Sequence, residues 1–301
     1  MANKKIQYSG KQRRLVIQEN VASYLFLLPF LIFFVMFVLY PMFMCVYTSF
    51  FESTMNKDPE FIGIGNYVEL FHDEKFIDAL LNTLIIVAVS VPVTCIFSLW
   101  VASAISKMPV AATSAFRCIF YLPVVTGSVA VTMVWKWMYN SHYGIFNYIG
   151  TSTGLLEENI TWLGDPKYAL WCIILILLTT SVGQPIVLYV SALDNVDKTL
   201  VEAAEVDGAT QMQAFWRVKW PQMMPTTLYI LVITTINSFQ CFALIQLLTQ
   251  GGSNTMTIMY YIYYNAFKLY RYGYGNAMGV ILALIIAVLS AIQFKLGQEK
   301  K

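Results

Sequence analysis

The chain has 301 residues, 58% of them hydrophobic and only 12% charged, with a formal net charge of +2. A soluble domain carries about 25% charged residues, so the composition excludes an ordinary soluble domain, and the near-neutral balance gives no support to a nucleic-acid partner. Six stretches, 20–51, 79–106, 118–135, 168–193, 220–267 and 272–294, contain no Asp, Glu, Lys or Arg, and about 20 apolar residues suffice for one helical crossing of a membrane.

The expected fold is therefore all-α and integral to the membrane, with six transmembrane helices. The runs are apolar all round and lack the alternation of a β-barrel strand. With both termini inside, 13 of the 19 Lys and Arg residues fall on the inner face and 10 of the 17 acids on the outer, so the basic bias of inner loops gives an N-in, C-in orientation.

Residues 1–20 read as a basic cytoplasmic tail, and 21–301 as a single transmembrane domain. The first span, about Ala22–Phe50, is too long and too free of a small-residue cleavage site for a signal peptide, and is expected to be retained. An outer loop then carries Phe61, Gly63, Gly65, Asn66 and Tyr67, read as a short interfacial helix. The second span is expected over about Ala79–Ser106. The third starts at Arg117, is loosened by Pro123 and Gly127, and ends in the aromatic belt of Trp135, Trp137 and Tyr139. The fourth, about Tyr168–Leu193, holds Gly183, Gln184 and Pro185 at mid-depth. Pro185 frees a carbonyl that lipid cannot satisfy, so the opening must face protein or a watery cavity. The fifth span is expected from Pro225 to Leu248 and the sixth from Ala277 to Leu296, with Tyr260–Tyr274 lying on the outer surface between them.

Enzymatic readings fail on motif. The chain has no phosphate-binding G-x-x-x-x-G-K-[ST] loop, no H-E-x-x-H and no G-x-S-x-G. Cys45, Cys95, Cys118, Cys172 and Cys241 are widely spaced in apolar runs, which suggests neither disulfides nor a metal site. The spans also lack an acid for an ion relay, so uphill transport would draw its energy from another polypeptide.

Two groups of residues remain as candidates. Thr179, Val182, Gly183 and Ile186 share one face of the fourth span by helical spacing. Asn237, Ser238 and Cys241 lie together on the fifth. Neutral polar groups beside small residues suit a solute rich in hydroxyls, although such groups also bond neighbouring helices to one another. The second group is the polar connection 194–225. Thr199 and Glu202 have capping-box spacing, Gly208 can end the helix in a left-handed conformation, and Ala209 onward can begin another short helix. Five acids and one base between Asp194 and Ala209 argue against a lipid-lying helix and for a basic protein groove as its partner.

The run EAAEVDGA, with Glu202, Ala203, Ala204, Asp207, Gly208 and Ala209, followed by Pro221, resembles the EAA loop of membrane subunits of binding-protein-dependent ABC importers. Asn82, Thr83, Leu122, Pro123, the stretch Trp162–Pro166 and LIQLLTQGG at Leu244–Gly252 extend the resemblance to the carbohydrate-uptake group that includes the maltose transporter. It implies a permease, not an enzyme, in a bacterial inner or cytoplasmic membrane. The EAA segment would be a coupling helix between the fourth and fifth spans, seated on a cytosolic ABC ATPase dimer. ATP and Mg²⁺ would sit on that ATPase and no cofactor on this chain. A second homologous permease, an extracytoplasmic sugar-binding protein and membrane lipid would be the remaining partners. The family's sugar lies against positions matching Thr179, Val182, Gly183, Ile186, Ser238 and Cys241. Here Thr179, Ser238 and Cys241 replace asparagines of the maltose type and Ile186 replaces an aromatic. A glycerol phosphate ester or a polyamine is the alternative solute, but neither span offers it a counter-charge.

Overall fold

The computed structural model describes residues 10–55 and 57–298. Residues 1–9 of the expected basic tail lie outside this range. The first helix starts at α1 (Gly10–Phe34), earlier than its apolar run, and continues through a π turn at Val35–Leu39 into α2 (Tyr40–Thr48). Residues 10–20 are thus helical. An antiparallel hairpin follows, β1 (Phe51–Thr54) with β2 (Lys57–Phe61), pairing Phe51 with Phe61. This hairpin is the one departure from an all-α fold among the described residues, and its charged second strand gives no apolar alternation to read. The short helix α3 (Gly65–His72) leads into α4 (Glu74–Ile105), the second span.

The third apolar run is two helices rather than one. α5 (Val110–Val125) and α6 (Ser128–Met138) meet at 92° across Thr126–Gly127. After α7 (Ile145–Ser152), the fourth run is likewise broken, with α8 (Ala169–Ser181) and α9 (Gly183–Asp194) bent by 41° at Val182. The connection supplies α10 (Lys198–Val206). Helix then resumes at α11 (Gln211–Ala214), passes a π turn at Phe215–Lys219 and enters α12 (Trp220–Phe239). The fifth span therefore begins 14 residues before Pro225, because backbone hydrogen bonding continues through Arg217 and Lys219 although the apolar run does not. α13 (Ala243–Leu248), α14 (Ile258–Tyr263) and α15 (Tyr272–Gln298) complete the chain. Among the described residues four segments are long and apolar enough to cross a membrane, or up to six if each bent pair is one span.

The organisation is that of a protein solvated by lipid. Large apolar side chains of α1, such as Phe26 and Phe30, point outward, while serine, threonine and asparagine are buried between helices. Central α4 packs against α8, α9 and α12. Ser90 of α4 bonds Ser238 of α12 at 2.8 Å, Asn82 donates to the Met256 carbonyl at 3.1 Å, and Thr83 accepts from the Ile258 N–H at 3.0 Å. Such contacts fix helix positions where apolar burial cannot, since lipid tails are as apolar as leucine.

At the start of α4, Asp73 caps the helix through the Lys75 N–H and accepts the hydroxyls of Tyr261 (2.6 Å) and Tyr274 (2.7 Å). Burial by itself would raise the Asp73 pKa, but the tyrosine and backbone hydrogen bonds outweigh it and hold the carboxyl below its usual value. Arg271 meets both oxygens of Glu69 at 2.7 Å. The aromatic stretch is split between the two environments: Tyr260, Tyr261 and Tyr274 are buried, while Tyr264, Phe267, Tyr270 and Tyr272 are exposed.

The loop between α6 and α8 closes around Asn147. Its Nδ2 donates to the carbonyls of Ser141 (3.1 Å) and Ile160 (2.9 Å), and its Oδ1 accepts from the Ile160 N–H (3.1 Å) and Trp162 Nε1 (2.8 Å). Asn147→Leu keeps the branching at Cγ but strands these groups, each costing about 1–3 kcal/mol when buried. A clear drop in the thermal midpoint of the purified protein is expected; an unchanged midpoint would show that the loop is held by its aromatic contacts alone.

Candidate functional site

The connection after α9 is built as a rigid projection. Arg117 of α5 pairs with Asp194 at 3.0 Å, tying the end of α9 to its neighbour. Val196 is buried in the cluster formed by Val101, Ile186, Tyr189 and Met223, and the Asp197 N–H donates to Gln222 Oε1 at 3.1 Å. α10 thus starts from an anchored residue.

The cap is Asp197, not Thr199. Asp197 Oδ1 accepts from the Thr199 N–H (2.9 Å) and from Thr199 Oγ1 (2.7 Å), so the threonine hydroxyl is consumed by the cap rather than acting as one. No bond joins Thr199 to Glu202. The capping box forms instead on the next helix, where Thr210 and Gln213 satisfy each other's backbone N–H. Between them Gly208 has φ +80°, with Gly208 N–H on the Glu205 carbonyl and Ala209 N–H on the Ala204 carbonyl. This pair of bonds is a Schellman stop.

The stop turns the chain back into α11 and the π turn. There the Trp220 N–H bonds the Phe215 carbonyl, one residue before Pro221, which has no N–H to give. On α10, Val201 packs toward the core while Glu202, Ala203 and Asp207 are exposed and Ala204 and Ala209 half-buried. Leu200 and Val206 are also exposed, Val206 at 87%. Leu200, Ala203 and Val206 recur every three residues and form an outward apolar strip edged by acids. Sequence reasoning missed Leu200 and Val206, whose i, i+3, i+6 spacing with Ala203 was the available signal.

The second candidate region lies where three spans are interrupted. Gly183, at the α8–α9 bend, is buried so closely against the Phe120 carbonyl and Val124 of α5 that a Cβ would collide with them. The third-span break at Thr126–Gly127 is a few residues further along α5. The fifth span breaks between Phe239 and Ala243, and α13 beyond it packs against α6 and α8. Two carbonyls at the breaks take side-chain donors from inside the protein: the Val182 carbonyl, which keeps the Ile186 N–H at 3.0 Å, also accepts Ser98 Oγ at 3.3 Å, and the Cys241 carbonyl accepts Thr257 Oγ1 at 2.9 Å.

Of the expected path residues, Val182, Gly183, Ile186, Ser238 and Cys241 are buried within this chain. Ile186 belongs to the α4–α9–α12 core, Ser238 is bonded to Ser90, and Cys241 packs with Ile173 and Leu244. Thr179 is half-buried with its hydroxyl on the Ile176 carbonyl at 2.7 Å. Asn237 is exposed. The exposed polar set at the breaks also includes Thr126, Ser128, Gln184 and Gln240. The charged residues nearest the first break in sequence, Arg117 and Lys136, are both engaged, Lys136 with the Leu247 carbonyl at 3.0 Å.

A profile of the family described as "Binding-protein-dependent transport system inner membrane component" matches residues 61–299. The multiple sugar-binding transport system permease protein MsmF of Streptococcus mutans is 32% identical, over 91% of this chain and 94% of the relative. The lactose transport system permease protein LacF of Rhizobium radiobacter is 30% identical, over 94% of this chain and 96% of its own length. A crystal structure of a bacterial alginate ABC transporter, in complex with an alginate pentasaccharide-bound periplasmic protein, contains a chain that superposes with a TM-score of 0.81. That chain is 26% identical, over 92% of this chain and 94% of its own.

The cap makes a pH test of α10 possible. Hydrogen bonds from the Thr199 side chain and backbone lower the Asp197 pKa from its ordinary 3.8. A carboxyl lowered on folding contributes stability above its unfolded value, and that contribution is lost as pH falls through the lowered one. Amide-exchange protection of residues 198–206, corrected for intrinsic rates, is expected to be level at neutral pH and to fall below 3.8. Asp197→Asn removes this dependence; identical profiles in the two proteins would sink the assignment. Gly208→Ala meets no neighbour, yet should destabilise the turn by about 1–2 kcal/mol through its left-handed φ alone, read as faster exchange at the end of α10.

Proposed function

The chain belongs to the family of binding-protein-dependent transport system inner membrane components, and from that premise we propose that it forms half of the translocation path of an ATP-driven importer for a neutral sugar or oligosaccharide. It is a multi-pass permease subunit and not an enzyme. Six N-in, C-in spans place α10 in the cytosol as the coupling helix, docked on one subunit of an ABC ATPase dimer. A second, homologous permease closes the path from the other side. An extracytoplasmic sugar-binding protein delivers the solute, and ATP with Mg²⁺ stays on the ATPase.

The observation that carries the substrate class is the meeting of three broken spans beside uncharged amides and hydroxyls. Discontinuous helices at mid-depth offer backbone and side-chain groups to a solute that must be desolvated there. Thr126, Gln184, Asn237 and Gln240 are exposed donors and acceptors, and with no free charge nearby they suit hydroxyls rather than carboxylates or phosphates. Thr179, Val182, Gly183, Ile186, Ser238 and Cys241 then shape the wall from behind and come to the path as the helices rotate. MsmF and LacF, whose names specify sugars, support the same class.

In the coupling step, the acid-edged strip Leu200–Ala203–Val206 enters an apolar cleft with a basic rim. Closure of the ATPases moves α10. The capped start, the Schellman stop and the direct helical link through α11 to α12 let that motion reach the breaks without being absorbed by slack loops.

Two substitutions separate these roles. Glu202→Lys is expected to reduce radiolabelled sugar uptake more than tenfold while the protein remains inserted and the ATPase co-purifies less well. Asn237→Leu with Gln240→Leu should reduce uptake with ATPase co-purification intact. Wild-type uptake in the first variant would remove α10 from coupling; wild-type uptake in the second would place the path elsewhere.

A further inference from the structure

We propose that a groove at the membrane face carrying the α9–α12 connection is a binding site for one anionic phospholipid. The groove, about 1270 Å³, lies between the end of α4, the start of α10 and the π turn before α12. Its wall changes character along α4. Ile96, Leu99 and Trp100 line one end and Ser106 and Lys107 the other, a distance of about 16 Å over the 11 residues from Ile96 to Lys107 at 1.5 Å each.

Trp100 is 67% and Trp216 53% exposed into this space, and Trp216 stacks at a tilt on Trp220 at 5.5 Å. Exposed tryptophans at one level of a membrane protein mark the headgroup boundary. The occupant must therefore have an apolar end beside Ile96 and a polar end beside Lys107. A sugar lacks the first, and a purely apolar chain lacks the second.

The charge at the polar end selects the headgroup. Lys107, Lys198 and Lys219 line the groove, as do Asp194, Glu202 and Glu205. Asp194 is already paired with Arg117. Lys107 reaches only the neutral Gln211 Oε1, at 3.4 Å. Three lysines thus face two free carboxylates, an excess of one positive charge that one phosphodiester neutralises. A zwitterionic headgroup brings no net charge to meet it. The lipid would bridge α4, α10 and the start of α12, the elements that move together if α10 transmits force, and the assignment holds whatever solute is carried.

The test uses the assembled transporter, delipidated and incubated with phosphatidylglycerol or phosphatidylcholine of identical acyl chains, with bound lipid counted by native mass spectrometry. Wild type is expected to retain phosphatidylglycerol with about tenfold preference. The triple variant Lys107→Gln, Lys198→Gln, Lys219→Gln should lose that preference, and the corresponding triple arginine variant should keep it. Trp100→Ala should weaken retention of both lipids. Equal retention of the two lipids by wild type, or an unchanged preference in the glutamine variant, overturns the proposal. Displacement of the lipid by soluble sn-glycerol 3-phosphate would assign the groove to a free phosphate instead. Uptake is measured separately, so loss of lipid preference with normal transport leaves the transport reading untouched.

Discussion

Every backbone N–H and C=O within a bilayer must find its partner inside the protein, and this requirement shapes the chain more than any single contact. Uninterrupted helix satisfies it without help except at proline, as in the 32 residues of α4, where Pro92 alone has no N–H to give the carbonyl one turn back. Each interruption then needs a donor or acceptor from another element. Thr257 serves the Cys241 carbonyl and Thr83 the Ile258 N–H, while Ser98 adds a second donor to the Val182 carbonyl at the α8–α9 bend. The helices that supply these groups are held at fixed depth by doing so. Broken spans and interhelical polar bonds are accordingly one feature seen from two sides.

The apolar runs made the spans legible, because length and freedom from charge are the properties lipid selects. Their ends were less legible. Arg217 and Lys219 interrupt the apolar run but not the helix, since a charged side chain at the membrane face can reach water while its backbone stays bonded. The cap of α10 was misplaced by two residues because Thr199 and Asp197 both offer a side-chain oxygen, and the aspartate, one residue outside the helix, takes the N–H first. Proline and glycine flagged the third and fourth breaks but could not give their angles. The 92° turn at Thr126–Gly127 depends on what α5 and α6 pack against.

The 194–225 connection was readable as a motif and its surface was not. Spacing named Glu202, Ala203, Ala204 and Gly208, yet the outward strip includes Leu200 and Val206, which only a three-dimensional helix separates from inward Val201. The residues expected along the path show the converse. Helical spacing put Thr179, Val182, Gly183 and Ile186 on one face, but the helix bends at Val182, and spacing cannot say that Gly183 meets α5 while Ile186 enters the α4–α9–α12 core. Gly183 is small because α5 passes directly over it, and that neighbour is remote in sequence.

These two regions are joined by a short chain of stiff elements. α10 is pinned at Asp197 to Gln222 of α12, and α9 is pinned at Asp194 to Arg117 of α5. A displacement of α10 therefore pulls on α12 directly and on α5 through α9, and each of those helices ends at one of the breaks. A continuous bundle would resist such a pull along its whole length. Broken helices bend where their hydrogen bonds are already interrupted, so under the proposed coupling the positions that would offer polar groups to a solute are also those that would yield to a movement of α10.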